Sequence, residues 1–155
     1  MSKFLDRLAA DRPLIYDGGF GSELFARGIE LTNSTLANEA HPDAVVDIHK
    51  AYIAAGADLI GTNTFVASEL HLEMAGKDPD QAGALTRTAT DLARRAIAES
   101  GRDVLVGGSI GPSPGAIEAD AGSTDFGIAN DRVKTAHQRI VEALYEGGID
   151  FFSIE

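Results

Sequence analysis

The stretch LIYDGGFGSELFARG, residues 14–28, runs an apolar triplet into one carboxylate, Asp17, and then glycines at 18, 19 and 21 before an amphipathic segment. Main chain without side chains lets another group approach the backbone closely, and a carboxylate beside it offers that group a polar or ionic contact. The competing reading is a strand-to-helix turn in which glycine only permits positive φ. Three other places carry comparable chemistry: Thr62, Asn63 and Thr64 in GTNTF, Ser109 in GGSIGPSPGA, and Glu155 after FFSI. GTNTF also reads as a polar strand end whose side chains satisfy a turn. GGSIGPSPGA reads either as a phosphate-cradling loop or as a stiff Gly/Pro connector. Neither glycine run matches a nucleotide motif: the first is G-G-x-G rather than G-x-G-x-x-G, and the second is not followed by Lys-Ser or Lys-Thr.

The segments that must position these residues alternate in period. Short β-rich runs fall at Leu14–Tyr16, Asp58–Thr62, Val104–Gly108 and Asp150–Ile154, and helical periods lie between them. Asp43 can cap AVVDIHKAYIAAG, whose Val45, Ile48, Tyr52 and Ile53 make one stripe and whose Gly56 supplies a left-handed stop. Ala82, Leu85, Ala89, Leu92 and Ala96 line a second helix ending at Gly101. Ile128, Val133, Ala136, Ile140 and Leu144 line a third, ending at Gly147 and Gly148. Two junctions, YIAAGADLIGTN and LYEGGIDFFSIE, repeat the order apolar, Gly, one residue, Asp, apolar strand. Such βα units joined by right-handed crossovers give a parallel sheet, and ligands of parallel α/β folds bind at the carboxyl ends of the strands. Asp17, Thr62, Ser109 and Glu155 all fall at such ends. An eight-stranded barrel takes about 250 residues. Residues 1–155 are therefore expected to be one domain of class α/β, the first half, with four βα units, of a (β/α)8 TIM barrel, cut at the end of strand four.

Composition narrows the partners. The 155 residues are 44% hydrophobic and carry a formal charge of −11, with 13 basic against 24 acidic residues. The basic residues do not cluster, which argues against nucleic-acid or anionic-membrane binding and for a small-molecule ligand. No apolar run approaches a membrane span, and the charged stretch Met1–Arg12 lacks the apolar core of a signal peptide, so a cytoplasmic location is expected. There is no cysteine, hence no disulfide and no thiolate metal site from this chain. His41, His49, His71 and His137 share no ligand spacing and read as solvated or half-buried helix positions.

YDGGFGSELFARG, HPDAVVDIHKAYIAAGADLIGTNTFVAS, GGSIGP and EGGIDFFSIE, in this order and at these separations, resemble the amino-terminal half of the homocysteine S-methyltransferase family, from Pro13 to Glu155. The family includes betaine-homocysteine methyltransferases, S-methylmethionine-dependent enzymes and the homocysteine domain of cobalamin-dependent methionine synthase. The resemblance implies a (β/α)8 barrel in which zinc holds the homocysteine sulfur as thiolate, which attacks an activated methyl group to give methionine. It implies that Gly18, Gly19 and Phe20 offer main-chain N–H groups to the substrate carboxylate, with Asp17 orienting the loop or the substrate. It makes Thr62 a second substrate contact and Glu155 an acceptor for the α-ammonium.

The chain also departs from the family. The family's three zinc-binding cysteines are missing, as is its frequent Trp between Gly28 and Pro42. The resemblance thus assigns this chain substrate-binding residues but neither catalytic nor metal-binding ones, and a homocysteine and methyl-donor chemistry whose zinc ligands lie elsewhere. Strands one and four lack barrel neighbours, leaving apolar residues such as Phe151 or Phe152 unpartnered, so self-association or pairing with a second half is expected. Two alternatives stand beside this. One is a non-catalytic fragment or half-barrel subunit. The other is a barrel lyase or aldolase with Asp17 and Glu155 as acid and base, for which Lys3, Lys50, Lys77 and Lys134 lie on predicted helices or loops away from the strand ends.

Overall fold

The computed structural model describes residues 2–118, 122 and 127–155; Met1 of the amino-terminal stretch lies outside them. Helices α1 (Lys3–Leu8), α2 (Phe20–Ala26), α3 (Ala37–Ala40) and α4 (Pro42–Ala55) precede strand β1 (Leu59–Gly61). Helices α5 (Glu69–Met74) and α6 (Ala82–Ser100) lead to β2 (Leu105–Ile110), and α7 (Asn130–Glu146) leads to β3 (Phe151–Ile154). The strands form a parallel sheet in the order β1-β2-β3, with Gly61 opposite Gly107 and Gly107 opposite Phe151. Among the described residues no helix is long and apolar enough to cross a membrane.

The expected first strand is reduced to one parallel bridge, Tyr16 to Leu59. Side chains shorten it from both ends. Before the bridge, Asp58 Oδ2 accepts the Ile15 N–H at 3.1 Å. After it, Asp17 Oδ2 accepts the Gly61 N–H at 2.9 Å. The main chain therefore leaves the sheet at Gly18, and three strands plus a bridge stand where four strands were expected.

The repeated Gly-x-Asp junction has the same physical origin. Asp150 Oδ2 accepts the Val106 N–H at 2.8 Å, as Asp58 does that of Ile15, and each aspartate is also held by an arginine, Arg94 and Arg12 respectively. Each aspartate starts a ladder by replacing a carbonyl with a carboxylate.

Helix α4 begins with Pro42 in its first turn, after His41 in the N-cap position, so Asp43 sits within the first turn instead of capping it. That position still suits a carboxylate near the positive helix end. Gly56 (φ 111°) and Gly101 (φ 66°) close α4 and α6 in the left-handed conformation. After α7 the left-handed residue is Gly148 (φ 73°), while Gly147 remains right-handed.

The strands alternate as their pleat requires. Ile60 and Val106 join Val45, Ile48, Ile53, Ala93 and Ala96 in the core beneath α4 and α6. On the opposite face Gly61 and Gly107 leave room for the Tyr16 ring, because a Cβ at either position would lie 2.8 or 2.9 Å from the Tyr16 hydroxyl. Phe151 has partners: Phe4 of α1 stacks on it at 4.2 Å and Tyr16 meets it edge-on at 6.1 Å. Phe152 and Ile154 point the other way and are 40% and 79% exposed.

Candidate functional site

At the carboxyl ends of the strands lies a cleft of about 550 Å³ whose walls include Asp17, Gly18, Gly19, Phe20, Thr62 and Glu155. The structure thus brings together all six expected site residues, with Ser109, Asn63, Phe65, Tyr16, Ser34 and Ser153 also lining it.

Gly18, Gly19 and Gly21 do not have positive φ, so the glycines of this strand-to-helix turn are not there to permit it. Gly18 is required for space: a Cβ there would stand 2.8 Å from the Tyr52 hydroxyl, which donates to the Gly19 carbonyl at 3.1 Å. Gly19, at φ −65°, precedes the first turn of α2, and no side chain caps that turn.

Asp17 is half-buried, and its partial burial pushes its carboxyl up to about 7. The bond from the Gly61 N–H opposes the rise, and Glu155 adds to it. Glu155 is exposed and accepts from the Ser109 hydroxyl at 3.3 Å. Burial raises the Tyr16 hydroxyl to about 12 against the opposing effect of the neighbouring Ser153 side chain, so it stays neutral.

Thr62 lines the cleft, but its hydroxyl is committed. Thr64 Oγ1 must donate to the Ser109 carbonyl at 2.6 Å, so Thr62 donates to Thr64 at 2.7 Å and accepts from the Ser109 N–H at 3.1 Å. This closed cycle leaves Thr62 one acceptor lone pair and no proton to give. Asn63 is structural. It donates to the Ser34 carbonyl and to Asn38 Oδ1, and Asn38 returns a bond to the Asn63 carbonyl at 3.0 Å. These amides fasten the turn Ser34–Leu36 to the end of β1.

Three of the four glycines of GGSIGPSPGA are consumed by packing, and the fourth, Gly115, takes a positive φ of 76°. A Cβ at Gly107 would meet Phe151, one at Gly108 would meet Ile149, and one at Gly111 would lie 2.2 Å from the Phe65 carbonyl. They form β2 and its exit, which supports the connector reading over a phosphate loop.

His49 overturns its expectation as a solvated or half-buried residue. It is fully buried, edge-on to Phe20 at 4.7 Å, with neither ring nitrogen partnered among the described residues. Burial lowers it to about 3, so it is neutral. His71 is buried and bonded to Ser68 at 2.7 Å, and His137 is half-buried between the Val133 and Gly111 carbonyls. Among the described residues no three His, Cys, Asp or Glu side chains are grouped to hold a metal, and the sequence has no cysteine. The residues present therefore do not fit a zinc-thiolate centre.

Sequence reasoning missed Tyr16 and Ser153 as cleft-lining residues and Tyr52 as the side chain that holds the Gly19 carbonyl behind it. Tyr16 was hidden in an apolar triplet and Tyr52 in a helix stripe. Ser153 follows the alternation that brings Phe151 and Glu155 to the same face, which is the signal that could have found it.

The homocysteine S-methyltransferase family profile matches residues 14–155. The chain is 31% identical over 153 residues to homocysteine S-methyltransferase of Escherichia coli (strain K12), covering 92% of this chain and 49% of that protein. It is 30% identical to betaine–homocysteine S-methyltransferase 1 of Bos taurus, covering 97% of this chain and 36% of the relative. The crystal structure of the homocysteine methyltransferase MmuM from Escherichia coli in its metallated form superposes with a TM-score of 0.77 at 27% identity, over 97% of this chain and 56% of that one. The chain thus spans about half the length of the Escherichia coli relative or less of the others, and its sheet and helices match the corresponding part of that fold. On these grounds the chain belongs to the homocysteine S-methyltransferase family.

Proposed function

We propose that this chain is the homocysteine-binding part of a methyltransferase that converts homocysteine to methionine, corresponding to the first four βα units of an eight-unit barrel. The observation that carries this reading is the convergence of Asp17 and Glu155 with the side-chain-free turn Gly18–Gly19 on one cleft. Two carboxyl groups suit an α-ammonium, and the N–H groups of Gly18, Gly19 and Phe20 suit an α-carboxylate, a clamp of charge-assisted hydrogen bonds. Thr62 contributes its remaining lone pair as an acceptor. The zinc of the family would activate the substrate sulfur through ligands that this chain does not contain, and the role of these residues ends at holding the amino acid in register.

The test is homocysteine methylation with betaine, S-methylmethionine and methylfolate as donors, with zinc analysis, on this chain and on any longer reading frame that encodes it. The reading expects homocysteine binding by both and turnover only by the longer form. Stoichiometric zinc with zinc-dependent turnover by this chain alone would overturn the division of labour.

Pairing with a second copy or a complementary half is supported by β3, the edge strand, where Ile154 is 79% exposed. Light scattering would read it, and a stable monomer at all concentrations would contradict it.

A further inference from the structure

The two acidic side chains of the cleft are unequal. Asp17 is half-buried, with Oδ2 bonded to the Gly61 N–H, while Oδ1 lies 3.5 Å from the point a Gly61 Cβ would occupy. Glu155 is exposed and takes the Ser109 hydroxyl. Among the described residues neither is in an ion pair with Lys, Arg or His; the twelve ion pairs formed all lie elsewhere. The titratable groups that face Asp17 are Glu155 from the end of β3, its neighbour Tyr16, and Tyr52 from α4, none of them cationic. Two carboxyl groups in one cleft without a counter-ion disfavour a second negative charge, and Asp17, the less exposed of the two, is the one placed to keep a proton.

We propose that Asp17 holds a proton in the ligand-free protein and that binding of the α-ammonium of homocysteine expels it, so that uptake of the amino acid releases one proton to solvent. The Asp17 O–H bond breaks, its electron pair stays on the carboxylate, and the incoming ammonium keeps its own three protons and supplies the missing positive charge. No other reactant is needed. This rests on the homocysteine reading of the cleft. Burial that pushes Asp17 up to about 7 agrees with the geometry. Affinity then rises with pH, by up to about tenfold per unit below pH 7, and levels off above it.

The experiment is isothermal titration of this chain with homocysteine at pH 6 in two buffers of different ionisation enthalpy, which counts protons released per ligand bound. Close to one proton is expected for the wild type and none for Asp17→Asn, whose amide oxygen still accepts the Gly61 N–H. Carboxyl-carbon NMR of the wild type gives an independent reading: Asp17 should titrate near neutrality without ligand and stay ionised with saturating homocysteine. Binding without proton release, or release that persists in Asp17→Asn, overturns the proposal while leaving the homocysteine reading intact. Absence of homocysteine binding by the wild type overturns both.

Discussion

The carboxylate of Asp17 stands where the next carbonyl of a parallel ladder would stand, accepting the Gly61 N–H at 2.9 Å just after the main chain of Asp17 has donated to the Leu59 carbonyl at 3.1 Å. One side chain thus ends a strand, frees the following glycines from the sheet and presents an acid to the cleft. Asp17→Ala leaves the Gly61 N–H without this acceptor and should cost about 1–3 kcal/mol in chemical denaturation. Asp17→Asn, which retains an acceptor, should cost distinctly less; equal losses would show that the Gly61 bond does not matter.

Asp17 and His49 shift in opposite senses, and their effects on stability oppose each other. Asp17, raised from 3.8 to about 7, favours the folded state most below pH 3.8 and loses that advantage as pH rises toward 7. His49, lowered from 6.5 to about 3, gives its full contribution above pH 6.5 and loses it as pH falls toward 3. Between about pH 5 and 6.5 the two proton counts cancel, and this pair should contribute no slope. Asp17→Asn should make stability rise with pH there, and His49→Phe should make it fall with pH, each by at most about 1.4 kcal/mol per unit. Urea midpoints across this range for the three proteins check the signs; matching slopes in both variants would refute the assignment.

Gly107 keeps the inner face of the sheet open. An added Cβ would lie 2.6 Å from the Phe151 ring and 2.9 Å from the Tyr16 hydroxyl. Gly107→Ala should therefore cost about 1–3 kcal/mol by overpacking. Thermal unfolding at fixed pH would measure it, and an unchanged midpoint would mean that the rings move aside freely.

In the glycine turn the sensitive position is Gly18. Gly18→Ala should displace Tyr52, weaken the Tyr52 bond to the Gly19 carbonyl and reduce homocysteine affinity. Gly19→Ala meets only Ser22 Oγ at 3.3 Å, at an ordinary φ of −65°, and should leave the fold unchanged. Binding and melting curves of the two variants separate these effects; greater loss of stability in Gly19→Ala would contradict the geometry.

The legible parts of the sequence were those where side-chain chemistry interrupts a period. Asp17 broke an apolar run, and Gly56 and Gly101 ended apolar stripes, so their places could be read. The repeated Gly-x-Asp junction was visible, but its cause was not, because the Val106 and Ile15 N–H groups that bind Asp150 and Asp58 are over forty residues away. His49 was misread because its polarity outweighed its place: four residues after Val45 and four before Ile53, it lies on the buried stripe. The first strand was overextended because apolar content cannot reveal that two carboxylates take over its hydrogen bonds. Thr62 carried the right position but a hydroxyl already engaged, a fact that emerges only when Ser109 and Thr64 are brought beside it.

Titrating the isotopically labelled chain with homocysteine while following amide resonances shows whether the cleft holds the head group of the amino acid. Saturable shifts are expected at Gly18, Gly19, Phe20 and Glu155, with one ligand per chain, and their loss in Asp17→Ala while the remaining spectrum stays folded. Saturable shifts confined to residues outside the cleft, or no saturable shifts at all, would contradict that role of the cleft.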